Sequence, residues 1–287
     1  MKNIDKKEII ELTGSIVDNN KLTMSTSSSI QPAILLRLGV FVPQNKTKVS
    51  TKENVVDVSK AFSTLEFARN EGYDDISIQG LRMSVAVDFR VWMGVIHAFS
   101  KYGFKSNKIT LPFIEFVKMC NYESRQINKL LRNRVFNSLN RIGTNTVSFK
   151  QKNGEKMFFT HLLKTARFDP DQDVIELEAD QKLWEIYQVD HNILVRKAAY
   201  FELVGKEVAQ TLYIYLSSLP DNFAPISFTR LRNRLNLKSE VKEQNRLIKA
   251  ALLKLKEINY IDYSIVKKGR ENNLIVHTRN KKTVHLS

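Results

Sequence analysis

The sequence predicts an α+β chain in which one module occurs twice, and three repeated features support this prediction. The apolar residues of LPFIEFVKMCNY (Leu111 to Tyr122) recur 115 residues later in ISFTRLRNRLNL (Ile226 to Leu237), at the spacing of a short amphipathic helix. A longer amphipathic stretch follows each copy. A turn signal between two β-prone runs comes next, at Asn153-Gly154 in the first copy and at Lys268-Gly269 in the second.

This order of elements indicates the fold of each copy. A short helix, a tight turn, a longer helix and a β-hairpin form a winged helix, the helix-turn-helix variant whose hairpin is the wing. We therefore expect two tandem winged-helix domains, over residues 31–180 and 181–287. Residues 1–30 are polar and contain the run LTMSTSSS, which predicts a flexible N-terminal arm.

In each domain we expect a leading helix, a short strand and a long second helix. In the N-terminal domain these are Ser84–Gly103, Lys108–Leu111 and Ser124–Arg141. In the C-terminal domain they are Arg196–Leu219, Ala224–Ile226 and Ser239–Ile258. Ser124 and Ser239 are the expected N-caps of the second helices, because a serine hydroxyl can accept a hydrogen bond from an amide of the first turn.

The remaining segments connect these elements. Gln31 to Pro43 is expected to be extended and to pack on the first domain, and Pro43 to Asn54 has the composition of a flexible loop. Asp57 to Glu71 is interpreted as a helix. The acidic segment between the two domains is expected to hold a strand at Val174 to Leu177 and a short helix at Gln181 to Gln188.

The distribution of charge matches the repeat. The net charge is +15, from 45 Lys and Arg against 30 Asp and Glu. Residues 104–167 and 226–287 each carry a net charge of +10, so the rest of the chain is slightly acidic. Two basic blocks that coincide with two winged-helix modules favour a phosphate-rich partner, and double-stranded DNA in particular.

The second helix of the C-terminal copy has the side chains that a DNA-reading helix needs. Arg and Lys can donate to guanine, Asn and Gln can pair with adenine, and the major groove admits one helix. The candidate residues on this helix and its start are Lys238, Ser239, Lys242, Gln244, Asn245, Arg246 and Lys249. The preceding helix adds Arg230, Arg232 and Arg234, and the wing adds Lys267, Lys268 and Arg270. A solvated surface helix is the alternative interpretation, and the neighbouring basic turn and wing favour DNA.

The first copy has fewer groups suited to base reading. Its helix carries Arg125, Lys129, Arg132 and Asn133, and its hairpin carries Lys150, Lys152 and Lys156. We expect these residues to contact phosphates, which sets position and affinity rather than the choice of sequence.

No motif in the chain predicts catalysis, a cofactor or a bound metal. No Gly-rich loop ends in Gly-Lys-Ser or Gly-Lys-Thr, and the five histidines are dispersed. Asp169, Asp171 and Asp173 alternate like a metal-binding loop but lack the later Gly and Glu of a calcium site, so a solvated turn is expected. Tyr260 and Tyr263 are expected to pack in the core and wing rather than to act as nucleophiles. We therefore expect a protein that is not an enzyme.

The sequence also predicts where the protein acts. Its N-terminus has charges of both signs and lacks the features of a secretory signal, and its apolar runs are too short to span a membrane. The single cysteine, Cys120, lies on an apolar helix face and is expected to be a small core residue. A cytoplasmic protein without membrane contact is expected.

Four stretches of the chain resemble a known family. QPAILLRLGVFVP (Gln31 to Pro43), LPFIEFVKMC (Leu111 to Cys120), APISFTRLRNRLNLKS (Ala224 to Ser239) and LKEINYIDY (Leu255 to Tyr263) are similar to stretches of RepFIB-type plasmid replication initiators, which are iteron-binding proteins. The resemblance extends over about Gln31 to Arg279, and the motifs keep the same order.

The resemblance implies a function and a set of partners. Such initiators have two winged-helix domains and bind repeated origin sites, the iterons, as monomers that help to open the duplex and recruit host replication proteins, including the replicative helicase. As dimers in equilibrium with these monomers they commonly repress their own promoter. The C-terminal domain would then read sequence through Lys238, Ser239, Gln244, Asn245 and Arg246, and the N-terminal domain would contact phosphates and supply the dimer interface.

Two alternatives remain open at this point. A tandem winged-helix transcriptional regulator without a role in replication would present the same helices. A tyrosine-type strand-transfer enzyme belongs to another class and requires an Arg-His-Arg-Tyr constellation, which the sequence does not supply.

Overall fold

The computed structural model describes residues 27–44, 55–57, 73–102, 107–151, 157–180, 182–183, 187 and 192–280. Several sequence predictions lie outside these residues. They are the arm over residues 1–26, the loop over residues 45–54, the helix over residues 58–71, most of the helix over residues 181–188, and the hairpin tip with Lys152 and Lys156.

The helices follow the predicted order. They are α1 (Ala33–Arg37), α2 (Asp88–Tyr102), α3 (Phe113–Met119), α4 (Lys129–Gly143), α5 (Lys197–Glu202), α6 (Glu207–Ser218), α7 (Phe228–Leu235) and α8 (Val241–Glu257). A 3-10 turn covers Ser124–Gln126, between α3 and α4.

The strands of the N-terminal half are β1 (Ser28–Pro32), β2 (Phe41–Val42), β3 (Val55–Asp57), β4 (Tyr73–Gln79), β5 (Met83–Ser84), β6 (Lys108–Pro112), β7 (Thr146–Gln151), β8 (Met157–His161), β9 (Thr165–Asp169) and β10 (Val174–Glu178). Those of the C-terminal half are β11 (Asn192–Arg196), β12 (Ile226–Ser227), β13 (Ile261–Lys268) and β14 (Glu271–Arg279).

Two three-stranded sheets confirm the tandem winged-helix fold. Their strand orders are β6-β10-β9 and β12-β14-β13, and all pairs are antiparallel. In each sheet the strand before the helix pair, β6 or β12, pairs with the last strand of the following hairpin, β10 or β14. The two units therefore share one topology, with α3 and α4 in the first and α7 and α8 in the second.

The position predicted for the first wing is wrong. The hairpin at Asn153-Gly154 is β7–β8, which pairs with β4 in a separate sheet of order β3-β4-β7-β8. The hairpin that matches the C-terminal wing in topology is β9–β10, which was predicted only as a strand in a linker. The inserted hairpin β7–β8 thus separates α4 from its wing. It was mistaken for the wing because it has a turn signal 115 residues before that of the C-terminal hairpin.

Several helix boundaries differ from the prediction. The N-cap of α4 is Asn128 rather than Ser124, because the Asn128 Oδ1 accepts a hydrogen bond from the Leu131 amide at 2.9 Å. The N-cap of α8 is Glu240 rather than Ser239. The single leading helix predicted over residues 196–219 is two helices, α5 and α6, because the chain turns at Gly205 with a φ of 79°.

The segment over residues 28–42 joins the two units. Strand β1 pairs with β11 of the C-terminal half, and β2 pairs with β5 of the N-terminal half. Helix α1 packs on α6. The extended conformation predicted over residues 31–43 is therefore wrong for α1, and residues 28–30 of the predicted arm are part of a buried strand.

Hydrogen bonds and a common core hold the two units together. The Arg37 Nε donates to the Ser218 carbonyl at 2.7 Å, and the Tyr200 hydroxyl donates to the Val85 carbonyl. The buried hydrophobic residues form one cluster that draws on both halves of the chain. Packing thus fixes the position of one helix pair relative to the other. The exposed surfaces of the two pairs are therefore also fixed relative to each other.

Arg234 of α7 is part of this junction. Its guanidinium donates to the Leu36 and Phe41 carbonyls and lies 5.3 Å from the centre of the Tyr215 ring. Its exposed fraction is 9%, and burial lowers its pKa to about 10, so the side chain stays charged at neutral pH. Arg234 therefore anchors the cationic helix α7 to the segment over residues 28–42. The sequence had predicted that this arginine binds DNA.

We predict that Arg234→Ala lowers the free energy of unfolding by about 2–4 kcal/mol, because it leaves buried carbonyl oxygens without a donor. Chemical denaturation followed by circular dichroism measures the change. Arg230→Ala on the exposed side of the same helix is the matched control, with an expected change below about 0.5 kcal/mol. Equal changes for the two variants would contradict the anchoring role.

Candidate nucleic-acid interface

The C-terminal helix α8 has one buried side and one exposed side. Its buried residues are Ile248, Ala251, Leu252 and Leu255, and the helix packs on α6. Because α6 covers the apolar stripe, the opposite side with Lys242, Arg246 and Lys249 faces solvent. The structure therefore exposes the three cationic residues that were predicted on this side.

The turn between α7 and α8 is held by two of its own polar residues. Asn236 ends α7 with a φ of 50° in the left-handed region. The Gln244 Nε2 donates to the Leu237 carbonyl at 3.2 Å and to the Ser239 carbonyl. Gln244 was predicted to read bases; its amide nitrogen bonds to the turn in this structure, and its contact with bases stays a prediction. Lys238 and Ser239 are exposed at the start of α8, as expected.

Two further candidates are joined to each other. The Arg232 Nη1 donates to the Asn245 Oδ1 at 2.8 Å, and the Arg232 Nη2 donates to the Thr229 Oγ1 at 2.5 Å. Only 14% of the Arg232 side chain is exposed. Neither Arg232 nor Asn245 is thus presented as a separate reading group, and together they fasten α7 to the first turns of α8.

Arg234 is the clearest error among the predicted site residues. It lies on the inner side of α7, where its guanidinium donates to carbonyls of the segment over residues 28–42. A buried side chain cannot reach a phosphate or a base, so Arg234 is not part of the candidate surface. Arg230 on the same helix is exposed.

The C-terminal wing places its cationic residues at its tip. Lys267, Lys268 and Arg270 are exposed around a two-residue turn in which Gly269 has a φ of 62°. At the base of this tip, the Glu271 carboxylate accepts hydrogen bonds from the Thr229 amide at 2.8 Å and from the Thr229 hydroxyl at 3.0 Å. These bonds lower the pKa of Glu271, so the carboxylate that joins the wing to α7 stays ionised.

A chain of contacts therefore connects three parts of one surface. Glu271 of the wing holds Thr229, Thr229 accepts from Arg232, and Arg232 holds Asn245 of α8. The exposed cations of this surface, named here the C-terminal basic surface, are Arg230, Lys238, Lys242, Arg246, Lys249, Lys267, Lys268 and Arg270. A helix start flanked by a basic wing can place one element in a groove and the other on the backbone.

The corresponding helix of the first unit, α4, is less suited to base reading. Arg125, Lys129 and Asn133 are exposed as predicted, with the Arg125 Nε paired to Glu123. The same helix also exposes Leu130, at 65%, and Phe136. This mixture of apolar and cationic side chains differs from the exposed side of α8.

Arg132 is held by its own wing. Its guanidinium forms two hydrogen bonds with the Asp173 carboxylate and lies 4.5 Å from the centre of the Phe113 ring. The side chain is 27% exposed. The Nη1–Nη2 edge of Arg132 is thus paired with a carboxylate, and its contact with phosphate stays a prediction.

The tip of the first wing is acidic rather than basic. The Asp169 Oδ1 accepts hydrogen bonds from the Asp171 amide at 3.0 Å and from the Gln172 amide at 3.2 Å, which forms the solvated turn that was expected. The predicted wing lysines are elsewhere: Lys150 lies on β7 of the inserted hairpin, and Lys152 and Lys156 are outside the described residues. The two wings thus carry opposite charge.

Cys120, Tyr260 and Tyr263 make packing contacts in the structure. Cys120 is buried, and burial raises the pKa of its thiol. The Tyr260 hydroxyl lies 2.8 Å from the Ser217 hydroxyl, and burial raises its pKa to about 12. Tyr263 packs against the core. These positions agree with the packing roles that the sequence predicted for the three residues.

The part of the chain that the structure describes shows neither a cluster of metal ligands nor a membrane-spanning helix. No three His, Cys, Asp or Glu side chains in this part of the chain come together as metal ligands would. No helix formed by these residues is long and apolar enough to cross a bilayer.

Sequence reasoning missed Glu271 and Glu243, two acids within the C-terminal basic surface. Glu243 precedes Arg246 by three residues, a spacing that brings side chains together on a helix and was available from the sequence. Glu271 meets Thr229 only through the pairing of β12 with β14, so no local signal indicates its contact.

Comparisons with known proteins agree with this arrangement. A family model described as Initiator Replication protein, WH1 matches residues 72–217. The chain is 50% identical over 264 residues to an Escherichia coli protein named Replication protein RepA. The aligned region covers 91% of this chain and 92% of the relative. This chain is also 39% identical over 263 residues to RepFIB replication protein A of Salmonella typhi. That alignment covers 90% of this chain and 81% of the relative.

A solved structure supports the fold. Domains 2 and 3 of RctB superpose with a TM-score of 0.50 at 11% identity, and they cover 86% of this chain and 98% of that one. Both the repeated winged-helix architecture and the identity to the RepA proteins over most of the chain lead to one conclusion. The chain belongs to the Initiator Replication protein family, among relatives named RepA and RepFIB replication protein A.

Proposed function

We propose that this protein starts plasmid replication by binding repeated sites, the iterons, on double-stranded origin DNA. The observation that carries the proposal is the C-terminal basic surface, in which an exposed helix start and a cationic wing tip are joined through Glu271, Thr229 and Arg232. Helix α8 enters the major groove, and the wing tip lies on the adjacent backbone.

Charge supplies most of the affinity in this proposal. The eight exposed cations of the C-terminal basic surface neutralise phosphates and release counterions, whatever the sequence of the duplex. Choice of site comes from the few side chains at the start of α8 that can reach base edges. Lys242, Arg246 and Lys249 are the candidates, with Lys238 and Ser239 at the helix start.

The N-terminal unit has a secondary role on DNA. Arg125 of the 3-10 turn and Lys129 and Asn133 of α4 are exposed and can contact phosphates, and the acidic tip at Asp171 limits how closely the wing can approach the backbone. Dimerisation through this unit, repression of the gene's own promoter and recruitment of the host helicase and initiator proteins are further parts of the proposal. Their support is the membership of the RepA group.

The protein acts through binding energy rather than through covalent chemistry. Cations clustered on one surface can bind and bend a duplex, and bending favours opening at a weakly paired segment. A transcriptional regulator would use the same surface, and the relatives named as replication proteins favour the initiator. A footprint on DNA beside the gene separates the two, because an initiator requires several direct repeats there.

Binding should depend steeply on salt. With six to ten phosphate contacts, affinity for an origin fragment should fall by roughly 10³ to 10⁵ between 50 and 200 mM salt. Fluorescence anisotropy over that range measures the slope of log K against log salt. Lys268→Ala should reduce the slope by about 1, whereas Lys164→Ala, which removes a lysine paired with Glu178 on the first unit, should leave it unchanged. A flat response of the unmodified protein would contradict the proposal.

Reading and positioning residues should separate by mutation. Arg246→Ala should reduce the ratio of specific to random DNA affinity by about 10- to 100-fold, because a side chain that contacts base edges is lost. Lys268→Ala should weaken binding to both DNAs about equally, since the wing tip contacts phosphate. Competition binding with repeat and scrambled duplexes gives both ratios. Equal losses of specificity in the two variants would contradict the assignment of α8 as the reading helix.

The acidic tip of the first wing should oppose binding. Asp171→Asn should tighten binding to all sequences about two- to fivefold at low salt, because it removes a negative charge near the phosphates. The gain should disappear at high salt. Glu202→Gln, an exposed acid on α5, is the control for a general change in net charge. If both variants bind alike, the first wing does not come near DNA.

A further inference from the structure

Glu243 is an acid on the exposed, cationic side of α8. It lies in the first turn of the helix, and its carboxylate faces Arg246 one turn later. The Arg246 Nε donates to the Glu243 Oε2 at 2.7 Å, and the Arg246 Nη2 donates to the Glu243 Oε1 at 2.6 Å. Both oxygens of the carboxylate thus meet one edge of the guanidinium in a planar, two-bond pair.

This contact divides the arginine into two edges. The edge formed by Nε and Nη2 is turned to Glu243. The edge formed by Nη1 and Nη2 points away from it, and 67% of the Arg246 side chain is exposed. Guanine offers O6 and N7 in the major groove as two adjacent acceptors, and an arginine satisfies both with two parallel N–H groups. The outer edge of Arg246 is therefore suited to this base.

Capping of the helix start does not account for the geometry. An acid at the third position of a helix often reaches back to the N-cap amide in a capping box. No side-chain hydrogen bond caps the start of α8, where the N-cap is Glu240. The helix dipole stabilises a negative charge at this position whichever way the carboxylate points. It therefore does not explain why the carboxylate forms two hydrogen bonds with Arg246.

The charge of Glu243 also needs an explanation. A carboxylate near the backbone of DNA repels phosphates and lowers affinity for every sequence. The hydrogen bonds from Arg246 lower the pKa of Glu243, so the group stays ionised at neutral pH. The first unit lacks this arrangement, because α4 has no acid in its first turn. The acid is thus specific to the helix that is proposed to read bases.

We propose that Glu243 is a positioning residue that holds Arg246 with its outer Nη1–Nη2 edge toward the major groove, and so makes recognition of one G·C pair depend on Glu243. This inference rests on the proposed function of α8. An arginine that is fixed before binding loses less freedom when it meets the base, and a fixed fork rejects bases without two adjacent acceptors.

Selection from a randomised double-stranded DNA pool tests the proposal without knowledge of the natural site. The full-length protein is incubated with the pool, the bound DNA is sequenced, and the base preference at each position is compared among variants. The variants are Arg246→Ala, Glu243→Gln, and the two changes combined. Glu240→Gln removes an acid at the same helix end, and Glu257→Gln removes the acid of the Lys254–Glu257 pair, which has the same three-residue spacing at the other end of α8.

The proposal predicts one affected position. Arg246→Ala should abolish a guanine preference at one base pair, and Glu243→Gln should reduce the preference at that same pair by about tenfold while other positions keep theirs. In the Arg246→Ala background, Glu243→Gln should have no further effect on preference, because it acts through the arginine. The two control variants should keep the full preference at every position.

Three results would overturn it. If Glu243→Gln and Glu240→Gln change binding to all sequences alike, Glu243 contributes only charge. If Glu243→Gln weakens the base preference at a different position, Glu243 contacts a base itself. The same conclusion follows if it further weakens the preference at the same position in the Arg246→Ala background. If the unmodified protein selects no sequence at all, the proposed function fails, and this inference fails with it.

Discussion

Burial of the apolar stripe of α8 is the constraint on which the rest of the structure depends. Ile248, Leu252 and Leu255 are fully buried, and α6 is the helix that packs against α8. Removing such a side chain from water contributes roughly 1.5–3 kcal/mol, far more than an exposed ion pair. The orientation of the helix is therefore decided by its inner side. Its cations face solvent as a consequence, together with Glu243 and the wing that follows.

The same packing fixes the two units to each other. Helix α6 contacts both α8 and α1, while β1 and β2 pair with strands from opposite halves of the chain. Arg234 adds donors to this junction from α7. The polar face of the C-terminal unit is thus held in one position relative to the first unit, whose wing has the opposite charge at its tip.

Local signals in the sequence predicted much of this fold, and non-local contacts account for the errors. The helix pairs and the C-terminal wing follow from periodicity and from the turn at Gly269, which need only neighbouring residues. The inserted hairpin could not be told from a wing, because its pairing with β4 is long-range. Likewise Arg234 meets Leu36 across 198 residues of sequence, and Arg132 meets Asp173 across 41. An arginine on a basic helix shows no local sign of such partners.

The central claim is that α8 lies in the major groove and reads guanine there. Protection of guanine N7 from methylation by dimethyl sulfate tests it most directly, because N7 is exposed only in that groove. On a DNA fragment that carries the repeats, the account predicts protected guanines in each repeat, within a larger region of protected backbone. Backbone protection without any protected guanine N7 would contradict the account.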